Sequence, residues 1–158
     1  MLAAGLFIVL FSAMPAWPEP PGFGALARQA EIVALATCTT AESRWDAVDP
    51  IIVTRVELQV DRLFKGEAGS TLLVNTLGGR VGQQGMGASD AVSFTAGERA
   101  VVFLRSSTYG PYYVIVGGTA GKLGVESSSA GLRLRARRGT AIDLATFAAR
   151  IAGASAPP

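Results

Sequence analysis

Gly79, Gly82 and Gly85 lie in the run GGRVGQQGMG and give the spacing G-x-x-G-x-x-G. Glycines so spaced can let a backbone close on a phosphate, provided a helix follows whose N-terminus faces the anion. Met86-Gly87-Ala88-Ser89-Asp90 comes next and has no helical periodicity. The run therefore reads as a tightly turning loop, not as a nucleotide cradle. Glu42, Asp46 and Asp49 crowd one stretch and could bind calcium weakly, but their spacing does not match an EF-hand loop. Solvated loop carboxylates are the expectation. Asp90 and Glu98 could in principle work as acid and base, though nothing in their spacing singles them out.

Arg133, Arg135, Arg137 and Arg138 form the basic cluster. On a strand the first three line one face. Single-stranded nucleic acid also needs exposed aromatics on which bases stack, and none lies near this run. Nucleic acid is not expected as a partner, and a net charge of +2 does not argue for it. The chain has no histidine. That removes Ser-His and Cys-His catalysis, histidine proton shuttles and most zinc sites. Cys38 is the single cysteine, so no intramolecular disulfide forms. It reads as a small buried hydrophobe in a strand. No catalytic residue, cofactor or metal is expected.

The element that must position everything else is residues 51–66, IIVTRVELQVDRLFKG. Ile52, Thr54, Val56, Leu58 and Val60 alternate with Val53, Arg55, Glu57, Gln59 and Asp61, the period of a long strand with one wet face. The alternation slips after Asp61, which predicts a bulge near Asp61–Arg62. Residues 31–40 read as the strand before it, with Val33 and Leu35 on one face and Ile32, Ala34, Ala36 and Cys38 on the other. A short helix or turn is expected over 23–30. A loop over 41–50 carries Arg44 and Trp45.

Residues 70–76 read as the next strand, followed by the glycine-rich loop 78–87 and an irregular stretch anchored by Phe94. Residues 98–104 are apolar on both faces and should be central and buried. Val56, Leu58, Val101 and Phe103 are expected to be buried in adjacent strands. Short strands over 112–116, 121–126 and 132–135 follow. Thr140 is placed to cap a helix running to about Ile151, with Asp143 near its positive end. Ile142, Leu144, Phe147 and Ile151 give that helix an apolar face.

Length allows one domain. Residues 2–11 are an unbroken apolar run of the length of a signal h-region, followed by Ala13, Ala16 and a proline-rich patch. Residues 1–21 are expected to be a signal peptide or an N-terminal anchor, with a buried first helix as the competing reading. The domain is expected over 22–153, with 154–158 as a disordered tail. Many short strands and one helix predict a mainly β fold, a small OB-like β-barrel, closed or partly open, with a C-terminal helix.

The runs Glu31-Ile32-Val33-Ala34-Leu35-Ala36, Val60-Asp61-Arg62-Leu63-Phe64-Lys65-Gly66 and Phe94-Thr95-Ala96-Gly97-Glu98 through Leu104 carry a resemblance. In them the chain resembles the netrin-like and tissue-inhibitor-of-metalloproteinase-like OB-fold group, in the form of small exported bacterial proteins without assigned function. The resemblance spans about residues 30–123 and implies an OB-type barrel. The inhibitors of that group use a disulfide-tied N-terminal cysteine to reach a catalytic metal. This chain has only Cys38, so no functional residue is carried over.

The expectation is a non-enzymatic exported binding module, periplasmic or extracellular, whose partner is another exported or envelope protein. Membrane contact would come only through residues 1–21 if they are kept. The alternative, a secreted protease-inhibitor-like protein, is implied by the resemblance alone. Binding residues concentrate on loops held by a rigid scaffold, and Trp and Arg dominate interface hot spots. Arg44 and Trp45 in one loop, and Arg80, Gln83, Gln84 and Met86 in the other, are the candidate contacts. The competing role for Trp45 is to fold back and cap the barrel. A reporter fused after Pro21 should be exported; recovery of the intact chain, Met1 included, from the cytoplasm would overturn the compartment reading.

Overall fold

The computed structural model describes residues 22–129, 131–135 and 141–155. The expected signal or anchor segment, Thr140, Arg137, Arg138 and residues 156–158 lie outside them. A short helix α1 (Phe23–Gln29) leads into two long strands, β1 (Ile32–Trp45) and β2 (Ile52–Lys65). They are followed by β3 (Thr71–Leu77), β4 (Gly79–Val81), β5 (Gln84–Met86), β6 (Arg99–Ser106) and β7 (Tyr113–Ile115). The chain closes with β8 (Lys122–Ser128), β9 (Gly131–Arg135), β10 (Ala141–Asp143) and a helix α2 (Leu144–Ser155). The main sheet runs β1-β2-β3-β7-β6, and β6 pairs back onto β1. Five strands thus close a barrel. The other edge of β6 also holds β8, from which β9 and β10 extend. The fold is mainly β with a C-terminal helix, as the alternation predicts.

The barrel wall separates two apolar cores. Ile32, Ala34, Ala36, Cys38, Val56, Leu58, Leu72, Val74, Ala100, Val102 and Leu104 point inward, where Val92 and Phe94 from the irregular stretch join them. Val33, Leu35, Val101 and Phe103 point outward and pack under α1, α2 and the β8–β9 extension. The small residues Ala34 and Ala36 let the wall close tightly at β1. All four residues expected in the core are fully buried. They do not sit in adjacent strands, however: β1 lies between β2 and β6, and the two pairs face different cores.

The register confirms the slip. Ala36 pairs with Val60 and Leu35 with Arg62, so Asp61 is the extra residue of a β-bulge. Val60 packs on the inner core, while Phe64 packs on the outer one. There Phe64 meets Phe147 edge-on at 5.3 Å, and Phe147 also meets Phe23 at 5.6 Å and Phe103 at 6.1 Å. One ring therefore ties α2 to α1, β2 and β6, each edge-to-face pair adding about 0.5–1.5 kcal/mol to its buried area. The bulge residue is also used: the Asp61 carboxylate accepts from Thr37 Oγ1 at 2.9 Å and pairs with Arg99 Nε at 2.7 Å. Lys65 Nζ donates to the Ala27 and Ala30 carbonyls, both at 2.6 Å, and so neutralises the end of α1. Glu31 accepts from the Ser106 hydroxyl and N–H, which hold its carboxyl below the usual range.

Four expectations need correction. Residues 41–45 are strand, not loop, because β1 continues to Trp45 opposite Ile52. A second bulge, at Thr39, shifts the parity of β1 and masks the continuation. The glycine-rich loop contains a hairpin, β4–β5, whose turn is Gly82-Gln83. Helix α2 starts at Leu144, since 141–143 pair with β9, and its cap is Asp143. Asp143 accepts the Thr146 N–H at 2.8 Å and the Thr146 hydroxyl at 2.6 Å, which lowers its pKa. The helix also runs on through Ala154, half-buried on the outer core, to Ser155. Both Phe147→Ala and Phe103→Ala should cost roughly 3–5 kcal/mol in urea unfolding. A loss under about 1 kcal/mol in either would deny the outer core its central role.

Candidate functional site

The helices cover the outer face of β1 and β6. The outer face of β2 and β3 near Val53, Asn75 and Leu77 is covered only by loops. The register places Arg44, Val53 and Leu77 in one row across β1, β2 and β3, and Glu42, Arg55 and Asn75 in the next. Two loops arch over this face, residues 46–51 and residues 107–112. A cleft of about 500 Å³ lies beneath them, with Val53, Asn75, Leu77 and Val114 among the wall residues contributed by the sheet.

Both loops are braced from within. In the first, the Asp46 N–H donates to Ile51 O and the Ile51 N–H to Asp49 O, each at 2.8 Å. Asp46 Oδ1 accepts the N–H of Val48 at 3.0 Å and of Asp49 at 3.1 Å. These two bonds, with help from Arg44, lower the Asp46 pKa, so its carboxyl stays charged. In the second, the Ser107 N–H donates to Tyr112 O and the Tyr109 N–H to Ser107 Oγ. Gly110 is needed there because any Cβ would press on the Tyr112 ring.

The hairpin packs on the other side of the same strands, against Ser43 and Thr54. The Gly78 N–H bonds Ile52 O, and Thr54 Oγ1 donates to Gly78 O at 2.7 Å while sharing a bond with Ser43 Oγ. Gly79 has φ +137°, and a Cβ there would collide with both hydroxyls. Gly82 leads a two-residue turn at φ +58° with no positive φ at Gln83, the arrangement of a type II′ hairpin. The glycine spacing thus serves strand packing and a turn, and no helix follows Gly85. A cavity of about 240 Å³ separates the hairpin from the barrel, lined by Met86, Thr76, Val92 and Phe94 among others. A third, of about 200 Å³, lies behind Asn75–Leu77 against Asp90–Val92. Leu77 lines all three.

Trp45 is 45% exposed. Arg44, Arg80, Gln83 and Gln84 are exposed, and Met86 is half-buried over the inner cavity. Of the two candidate groups, only Met86 lines one of these cavities. Sequence reasoning missed Val48, Leu77, Tyr109 and Tyr112, which line the cleft. Tyr109 carried the same signal as Trp45, a large aromatic in a polar turn, and it is 91% exposed.

The other candidate groups come apart. Among the described residues no three acidic or cysteine side chains converge as metal ligands, so Glu42, Asp46 and Asp49 form no calcium cage. Glu98 pairs with Lys122 at 2.6 Å, away from Asp90, which lies against Gly118. Arg135 pairs with Glu126, and Arg133 stands opposite Glu126 and Asp143, so acids interrupt the basic stripe. Cys38 is buried in the inner core, where desolvation raises its pKa. No described helix is long and apolar enough to cross a membrane. No family model matches the chain, and no curated protein or solved structure matches it either.

Trp45→Ala should change unfolding free energy by less than about 1 kcal/mol, as a surface substitution, whereas Gly79→Ala should lower the melting temperature clearly. A loss of several kcal/mol in the tryptophan variant would place that ring in the core.

Proposed function

We propose that the chain is a non-enzymatic, exported binding module that recognises another exported or envelope protein through the face around Leu77. One observation carries this. Five large hydrophobic residues are exposed among the described ones, and three of them, Val48, Leu77 and Tyr109, line this cleft; Trp45 directly precedes Asp46, which also lines it, and Leu63 lies elsewhere. Soluble proteins rarely leave such side chains grouped in water unless a partner covers them. Arg44, in one row with Val53 and Leu77, adds the residue type that, with Trp and Tyr, dominates interface hot spots.

Chemistry argues in the same direction. The chain has no histidine base, and its one thiol is buried with a raised pKa, which makes it a poor nucleophile. An inhibitory wedge of the kind the resemblance implies needs a reachable cysteine, and Cys38 lies inside the barrel.

The test is capture from envelope extracts with the folded domain as bait, wild type beside Trp45→Ala, Tyr109→Ala and Arg80→Ala. Each variant should retain its melting temperature and lose most of the captured partner. Equal capture by all four baits would overturn the assignment of this face. Nanomolar inhibition of a secreted protease by the same bait would favour the inhibitor alternative.

A further inference from the structure

The cleft has a charge as well as a shape. No lysine or arginine lines it. Its polar lining consists of the Asp46 and Asp49 carboxylates, the Asn75 amide and hydroxyl groups, including those of Tyr109 and Tyr112. Asp46 is held in its charged form by backbone N–H groups. The Asn75 Oδ1 atom is buried and has no hydrogen-bond partner in the protein. Arg44 shares a row with Val53 and Leu77, and Arg55 shares one with Asn75 and Glu42, its buried Nε also without a hydrogen-bond partner, but neither arginine lines the cleft. The remaining walls, Val48, Ile51, Val53, Leu77 and Val114, are apolar. A volume of about 500 Å³ is within the range of small-molecule sites.

These facts restrict the occupant. An anion would meet two carboxylates with no cation in the lining. A neutral apolar body would strip water from Asp46 and Asp49 and give nothing back. An ammonium group answers both carboxylates and can lie against the tyrosine rings. The structure therefore leads us to propose that the cleft binds an organic ammonium group carried on an apolar body, with Asp46 and Asp49 as its counter-charges and Val53, Leu77 and Val114 as the apolar wall. This deepens the binding-module reading and rests on it: the ammonium is free or is displayed by the partner as a lysine side chain.

The probes are 2-phenylethylamine, its neutral analogue 2-phenylethanol and the anion 3-phenylpropionate, titrated while the methyl resonances of Val53, Leu77 and Val114 are followed. An acetylated tripeptide with a central lysine forms the second arm. The amine should shift these methyls and bind at least about tenfold more tightly than the alcohol, a difference of one decade in affinity, and the propionate should not bind. Tighter binding of the tripeptide than of the amine assigns the ammonium to a protein partner, and the reverse to a free small molecule. Asp46→Asn with Asp49→Asn should weaken the amine about tenfold while leaving the melting temperature in place. The asparagine at 46 keeps the oxygen that accepts the loop N–H groups.

Equal binding of amine and alcohol, shifts confined to methyls elsewhere, or no amine binding up to about 10 mM, the weak end of measurable affinity, would overturn the inference. If the amine fails while Trp45→Ala still loses the captured partner, the cation assignment falls and the binding-module reading stands. If Trp45→Ala and its companions spare capture while the amine binds, the protein-binding face is wrong and the cleft is a small-molecule site.

Discussion

Burial of both faces of β1 and β6 is the constraint on which the structure depends. A barrel of five strands has a small interior, and here Ala34, Ala36 and Ala100 leave room for the larger inward side chains. That core alone is modest for a domain of this length. The outward-facing Val33, Leu35, Val101 and Phe103 supply a second core, and they require something to cover them. Helices α1 and α2 do so. The bulge at Asp61 makes the cover cohere, because without it Phe64 would stay on the same face as Val60 and could not reach Phe147. The extra residue Asp61 in β2 thus joins the two cores, and its own carboxylate ties β2 to Thr37 of β1 and Arg99 of β6.

This arrangement was legible in the sequence where the physics is local. Alternation over 51–60 marks a strand facing one core, and the loss of alternation over 99–104 marks a wall buried on both sides. The slip at Asp61 was visible because long apolar residues lie on both sides of it. The equivalent slip at Thr39 was not. The residues beyond it alternate small and charged, and a barrel mouth places Ala41 and Ser43 where a deeper position would show Val or Leu. A strand whose inward side chains are small and polar has the composition of a loop. The hairpin at 79–86 was hidden for a related reason: its strands are three residues each, and glycine at 79 and 85 removes the side chains from which a period is read.

The candidate surface was legible only in part. A tryptophan in a polar stretch can be noticed in isolation, and so could a tyrosine in the turn at 109. That the tyrosine meets Leu77 and Val48 around one cleft follows from the closure of the sheet, which brings residues from 46–51, 75–77 and 107–112 together. No spacing along the chain encodes it. Leu77 is the telling case. By alternation it faces the side opposite to Val74 and Thr76, and a lone apolar residue at the end of a strand draws no attention until its neighbours in space are known.

The two sides of the barrel are therefore finished differently. Where the wall is most apolar, helices seal it and aromatic rings pack edge to face. Where it is less so, at Val53, Asn75 and Leu77, the cover consists of two loops held by their own backbone bonds and leaves a gap. A protein under selection for stability alone could extend an apolar side chain into such a gap, since filling a cavity is among the easier gains open to a sequence. This chain instead places two acidic residues along the gap and leaves Val48, Leu77 and Tyr109 in water at its rim. Each choice costs the free protein something, by desolvating polar groups or by exposing apolar ones. Those costs fall together in one place, on the face proposed above to bind a partner.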